Sequence, residues 1–453
     1  MRSTSKTVAF LAGVFFLRGM PGQTVPNVSV AAVSNMADTY CADCHNGQMR
    51  SPSRALLEPF DAARISANPE LWSRAYRQLQ AGAMPPVGAP RPDRTTVNAV
   101  LASIEHELGK NAKPPATATS QEIATRLATL LWNSAPDAAL LQEAQRNRLS
   151  DPATLERQVQ RMLADDRAQA FVARFFFPWL QLDKLSESDP DKKYFPEYDV
   201  SLRDSLAKET ELFLLSQLRN DRDPVELWSA DYTFLNEQLA THYGIPNVSG
   251  AQFRRVLLSK PDGATSERGG LLGQGSILMV TSYHQHGPQA AYTSPATRGK
   301  WVRTHFLGVA PPVPFPGALP VKPELPITGQ VRVLPDNPCT TCHRNFFPLG
   351  YALENFDPLG RWRTRDQVGP VDASGSFVDG ASTNGVVELR AVLLEYSDAF
   401  RTTITERLLA YGSVVRAAGT PESLVRARQI LRGMEKPRWS VLIAAVVRAK
   451  PVE

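Results

Sequence analysis

Cysteine is scarce in this chain of 453 residues: there are four, in two tight pairs. That excludes a disulfide-dense scaffold. Long apolar runs are also missing. Nothing approaches the ~18 consecutive apolar residues of a membrane-spanning helix. Charge of one sign is missing too, because the formal net charge is only +5. Three of the positive residues, Arg2, Lys6 and Arg18, sit at the extreme N-terminus. The remainder is close to neutral and carries no electrostatic footprint for nucleic acid or an anionic membrane. Strand-type alternation is sparse. With 43% hydrophobic and 21% charged residues the chain is not wholesale disordered. At roughly 150 residues per domain its length suggests about three domains with sizeable cores.

What is present starts with an export signal. Arg2 and Lys6 precede an apolar run, Val8 to Leu17, that is too short to span a bilayer. Residues 1–27 are therefore expected to be a signal peptide, which places the mature protein in the periplasm or otherwise outside the cytoplasm. No Cys follows the run to accept a lipid.

Helical periodicity dominates the rest, and the predicted fold class is predominantly α. Residues 33–110 are read as a small helical domain closing on the pattern from Val97 to Leu108. A polar, Pro-containing linker, Lys113 to Thr119, follows. Ser120 is the expected N-cap of a helix carrying Ile123, Leu127, Leu130 and Leu131. Asp151-Pro152 starts another helix. Leu202, Leu206, Phe213, Leu214 and Leu218 mark a long third one. The helical middle spans 120–308. Seven Pro between Pro311 and Pro326 suit no helix interior, so 309–330 reads as a connector to a C-terminal module, 331–453.

Two motifs carry chemistry: Cys41-Ala42-Asp43-Cys44-His45 and Cys339-Thr340-Thr341-Cys342-His343. They use every cysteine in the chain. In this spacing two thiols share one turn and reach the two vinyl groups of haem, while the adjacent His turns onto the iron. Three other readings compete. A structural zinc site prefers CxxC knuckles about 15–20 residues apart, whereas nearly three hundred residues separate these. A thioredoxin-like motif requires a βαβ context, and a disulfide inside CxxC is strained. Covalent haem c, two per chain, is the expected cofactor. Cys41, Cys44, Cys339 and Cys342 would attach it, and His45 and His343 would ligate the iron.

Met84, in Ala81-Gly82-Ala83-Met84-Pro85-Pro86, is the expected sixth ligand of the first haem, held on a Pro-pinned loop. The competing use is core filling, and Met49 is another local sulfur. Around the second motif, the aromatic stretch from Phe346 to Trp362 could wall a porphyrin. Arg361 and Arg363 could pair with its propionates, and Glu354 and Asp357 could act as acid or base, cap or turn. No comparable Met-Pro loop follows. His284 and His286 are the concentrated ligand candidates, with His305 behind them.

Beyond the motifs, several stretches resemble the Planctomycete-type cytochrome family, whose central domains are of unknown function. They are Glu122 to Asp137, Leu149 to Ala168, Ala230 to Gly244, Arg268 to Leu278, Thr293 to Gly308, Cys339 to Arg363 and Glu388 to Gly412, spread over nearly all of the mature chain. The resemblance implies a periplasmic dihaem cytochrome of predominantly helical fold and brings no reaction with it. Between Thr281 and Thr293 this chain carries extra residues, His284 and His286 among them. The expected function is electron transfer through two covalent haems. The donor is left open between a redox protein and a quinol or other small molecule. The rival is a dihaem peroxidase or oxidase with the second haem as substrate site. A third reading makes the helical middle a binding module.

Overall fold

A computed structural model describes residues 30–48, 57, 63–110, 117–258, 263–282, 293–310, 345–366 and 369–450. The proposed signal peptide and most of the Pro-rich connector lie outside the described residues. The fold is mostly helical, in agreement with the periodicity. Strands among the described residues form two short antiparallel pairs, Tyr232–Leu235 with Arg254–Leu257 and Ser374–Ser376 with Ser382–Asn384.

The helices begin where local chemistry stops the backbone N–H groups from going unpaired. Asp151 caps Pro152–Ala164, Asp199 caps Val200–Arg219, and Ser294 caps Pro295–His305. The helix expected to be capped by Ser120 is capped one residue earlier. Thr119 accepts from Glu122 N, and the Glu122 side chain accepts from Thr119 N. The reciprocal box satisfies two donors where Ser120 would satisfy one. Ser120 is the first helical residue and is buried.

Two apolar clusters organise the interior. The smaller joins Val33, Met36, Ile65, Trp72, Tyr76, Leu79, Val100, Leu101 and Ile104 with one C-terminal residue, Leu424. It fills the space between the helices Val30–Tyr40, Pro69–Gln80 and Arg94–Gly109. The larger runs without a break from Ile123 through the middle helices to Trp439 and Val447. The terminal helix Trp439–Arg448 packs on Pro152–Ala164. Thr117 pairs with Ala449, and Arg126 donates to Val446 O. Residues from the two ends of the chain thus close one core.

The N-terminal helices dock on the C-terminal ones through polar contacts. Arg77 and Glu406, both buried, meet at 2.6 Å. Ser423 Oγ donates to Glu406 as well, at 2.7 Å. Arg428 sits between Glu105 and Asp398, and Gln80 donates to Asp398. No helix among the described residues is long and apolar enough to cross a membrane.

Candidate functional site

The first motif is built by the end of a helix. Val30–Tyr40 runs into Cys41, whose N–H donates to Ala37 O at 2.9 Å. The chain then winds once more. Cys44 N donates to Cys41 O at 3.2 Å and His45 N to the same oxygen at 2.9 Å. Asn46 Nδ2 donates to Ala42 O at 2.9 Å and to Asp43 O, fastening the turn from outside. Both thiols and the imidazole therefore belong to one turn. Neither Cys41 nor Cys44 is in a disulfide.

The two thiols differ in surroundings. Cys44 is exposed, whereas Cys41 is half-buried against the small core, with its Sγ 3.9 Å from Met36 Sδ. Burial first, then the neighbouring Cys44, pushes the Cys41 thiol up to about 11. Burial thus favours the protonated form of this thiol in the metal-free chain. A thiol adding across a vinyl group breaks S–H and the C=C π bond and forms S–C and C–H. The donor set, two free thiols and an adjacent imidazole, fits covalent haem. Among the described residues no group of three or more His, Cys, Asp or Glu could hold a metal ion.

Met84 lies on the loop that ends Pro69–Gln80. Gln78 O accepts from Ala83 N at 2.8 Å and from Met84 N at 3.3 Å. Arg91 clamps the loop, donating to Gly82 O at 2.6 Å and to Pro85 O. Gly82 has φ +65°, and a Cβ there would stand 2.6 Å from Tyr396 Oη, so only glycine suits both the turn and the contact. Tyr396 in turn donates to Asp379 at 2.5 Å. Met84 is half-exposed and lines a cleft of about 680 Å³ between the N-terminal helices and the C-terminal ones. Tyr76, Leu79 and Leu101 belong both to this cleft and to the core against which Cys41 packs. Cys41, Cys44 and His45 do not themselves line the cleft. The cleft and the motif lean on shared side chains without opening into one another.

Cys339, Cys342, His343, His284, His286 and Met49 lie outside the described residues. The framework around the second motif is described, and it is rigidly locked. The short helix Phe347–Tyr351 crosses Pro295–His305 at backbone contact. A Cβ on Gly299 would lie 1.7 Å from Phe346 O, and one on Gly350 would lie 1.9 Å from Pro295 O. Arg298, fully buried, donates to the carbonyls of Leu353, Phe356 and Asp357 and pairs with Glu354 at 3.2 Å. It also reaches Ser282 Oγ at 3.2 Å. Glu354 accepts from Thr293 and Arg363.

These contacts choose among the uses the sequence left open. Glu354 is a structural anion held by two arginines, not a free acid or base. Asp357 does turn chemistry, accepting from Leu359 N and Arg361 N. Neither Arg361 nor Arg363 is a spare cation. Arg361 pairs with Glu197 and Asp357, and Arg363 with Glu354. His305 is buried and stacked on Trp301, with Nδ1 2.8 Å from Trp301 O and Nε2 2.7 Å from Trp179 O. Burial pushes its pKa down to about 4. Each ring nitrogen faces a backbone carbonyl and the neutral ring donates to one of them, so the structure packs His305 into the core.

Sequence reasoning passed over three features. Arg298 is a buried cation beside the helix crossing at Gly299. Arg303 is buried in the same helix. A third lies deeper. Glu209, fully buried, accepts from Thr233 at 2.5 Å and from Tyr243 at 2.6 Å. Tyr243 Oη accepts from Gly275 N, and Arg268 lies over the Tyr243 ring. Burial raises the Glu209 carboxyl to about 7 against the opposing hydrogen bonds. A Glu on an otherwise helical stretch has no sequence mark that distinguishes it from a surface Glu.

Two stretches match known families. Residues 118–245 match PSD4, described as a protein of unknown function (DUF1592). Residues 268–366 match PSCyt3, also a protein of unknown function (DUF1588), and that stretch includes the second CxxCH motif. No curated protein and no solved structure matches the chain significantly. The buried Glu209 network joins the two matched stretches, and the chain carries two of the domains found in Planctomycete cytochrome-like proteins.

Proposed function

We propose that the protein is an exported c-type cytochrome that carries electrons through two covalently attached haems. The observation that carries this is the Cys41–His45 turn, where two free thiols and an imidazole share one hydrogen-bonded turn at the edge of an apolar core. The matched cytochrome-like domains support it, as does the apolar run after Arg2 and Lys6, since thioether haem is attached outside the cytoplasm. Haem supplies, when bound, an iron that cycles between ferrous and ferric forms. The residues do the rest. Cys41 and Cys44 would hold the haem covalently, and His45 would ligate its iron. The Met84 loop, pinned by Arg91 and backed by Tyr396, presents a thioether. A His and Met ligand pair would raise the potential and would suit electron transfer over substrate binding. Cys339, Cys342 and His343 repeat the attachment.

The second reading, a dihaem peroxidase or oxidase, turns on the sixth ligand of the iron at His343. His305 is packed into the core facing two backbone carbonyls, which leaves His284 and His286 as the candidates. Both readings require thioether haem. Intact mass of the purified chain is expected to exceed the polypeptide mass by two haems, with the colour retained on a denaturing gel. Complete loss of colour on denaturation, or zinc in place of iron, would refute the proposal.

A further inference from the structure

Two of the buried arginines of this protein face a carboxylate. Arg77 faces Glu406, and Arg298 faces Glu354. Arg303 is only 3% exposed, and no carboxylate among the described residues pairs with it. Its Nη1 donates to Asn345 O at 3.2 Å and its Nη2 to Gln78 Oε1 at 3.1 Å. Its Nε has no partner. Burial is the one influence on its pKa, pushing it down to about 10. A guanidinium offers five N–H donors in a planar fork. Leaving such a charge buried against neutral oxygens alone is costly. The site is short of an anion.

Its position says which anion. Asn345 lies two residues after His343. Gln78 is the residue whose carbonyl accepts from the N–H of Met84. Arg303 thus bridges the segment leaving the second CxxCH motif and the loop carrying Met84. Helix Pro295–His305 cannot slide away, because Gly299 and Gly350 hold it at backbone contact with Phe346–Tyr351. Arg361 and Arg363, downstream of the second motif, already have carboxylate partners.

We infer that Arg303 is the counter-ion of a haem propionate at the junction of the two haem-bearing segments, and that through Gln78 and Asn345 it is the positioning residue that holds those segments together. The inference rests on the two-haem reading above. A propionate carboxylate meets the fork of an arginine with two charge-assisted hydrogen bonds. The ion pair also screens that haem iron from the negative charge of its own propionate.

The experiment is a spectroelectrochemical titration of holoprotein carrying Arg303→Gln or Arg303→Lys, with haem content measured by intact mass. In Arg303→Gln the propionate loses its cation, so the ferric form gains relative stability. The midpoint potential of at least one haem is expected to fall. Arg303→Lys keeps the charge and is expected to recover more than half of that shift. Two bound haems with both potentials unchanged in Arg303→Gln would overturn the inference while leaving the function intact. A chain without thioether haem would sink the parent reading instead. Should the Gln variant not accumulate, redox infrared difference spectra of the unmodified protein with isotope-labelled propionate carboxyls decide. One carboxylate band displaced from the solvent position and insensitive to mild acid supports the pairing. Solvent-like bands alone overturn it.

Discussion

The two CxxCH motifs are alike as strings and differ in what surrounds them. The first sits at a helix end beside a small apolar cluster, with one thiol exposed and its neighbour half-buried. Its fastenings are local: a turn, an asparagine and a clamped loop. The second leads into a segment fixed by buried charge and backbone contact, in which Arg298, Glu354 and Arg363 tie together residues 282, 293 and 353–363. A small domain is marginal on its own apolar core and gains much from a porphyrin it can wrap. The second segment already has a framework without one. The comparison therefore teaches that the first motif leans on local fastenings and a small core, while the segment that follows the second motif is held by buried charge and backbone contact.

The largest effect is expected from Arg298→Met. It strips the fully buried Glu354 of one cation and removes the guanidinium donor from three carbonyls, two of which keep a backbone N–H. Breaking a buried pair from one side costs about 3–5 kcal/mol. Thermal unfolding of the holoprotein should show that loss. A change below about 1 kcal/mol, the size of an exposed pair, would break the claim that this region is held by buried charge.

Next comes the pH dependence of the same side of the molecule. The Glu209 pKa in the fold is raised, to about 7, above its ordinary carboxyl value. Where the folded form binds more protons than the unfolded one, stability falls as pH rises. The contribution is complete below the ordinary carboxyl pKa of ~4.3. It is lost progressively up to about 7. The penalty at neutral pH is roughly 3 kcal/mol. Glu209→Gln should flatten that part of a denaturant-midpoint profile measured across the same range. A profile with the same slope in the variant would remove Glu209 from the account.

The smallest effect on stability belongs to the first site. Met84→Leu keeps the volume, and such a swap costs under about 1.5 kcal/mol. Its effect is expected in the spectrum. The thioether-to-iron band should vanish, the potential of the first haem should fall, and affinity for carbon monoxide should appear. An unchanged band would show that Met84 only lines the cleft beside Tyr396 and Arg91.

What could be read from the sequence was whatever is encoded within a few residues. Asp151 before Pro152 and the apolar stripe from Leu202 to Leu218 announced helices that are present. The thiol spacing of Cys41 and Cys44 declared a single turn, and the chain makes that turn. The miss at Ser120 was local too. Thr119 and Glu122 form the box, and both were in view.

The sequence by itself therefore determined the helical class, most helix starts and the pairing of two thiols with an imidazole. All of these follow from backbone hydrogen bonds and side chains one turn apart. Only the tertiary structure decided which charges are buried and with whom. Arg77 finds Glu406, Arg126 finds Val446, and Arg303 finds Gln78 on one side and Asn345 on the other. The partners are far apart along the chain, and none has a neighbour in sequence that marks it as buried. An arginine reads the same whether it ends in water or in a core. The free energy of its charge is set by the dielectric and the partners that folding brings to it.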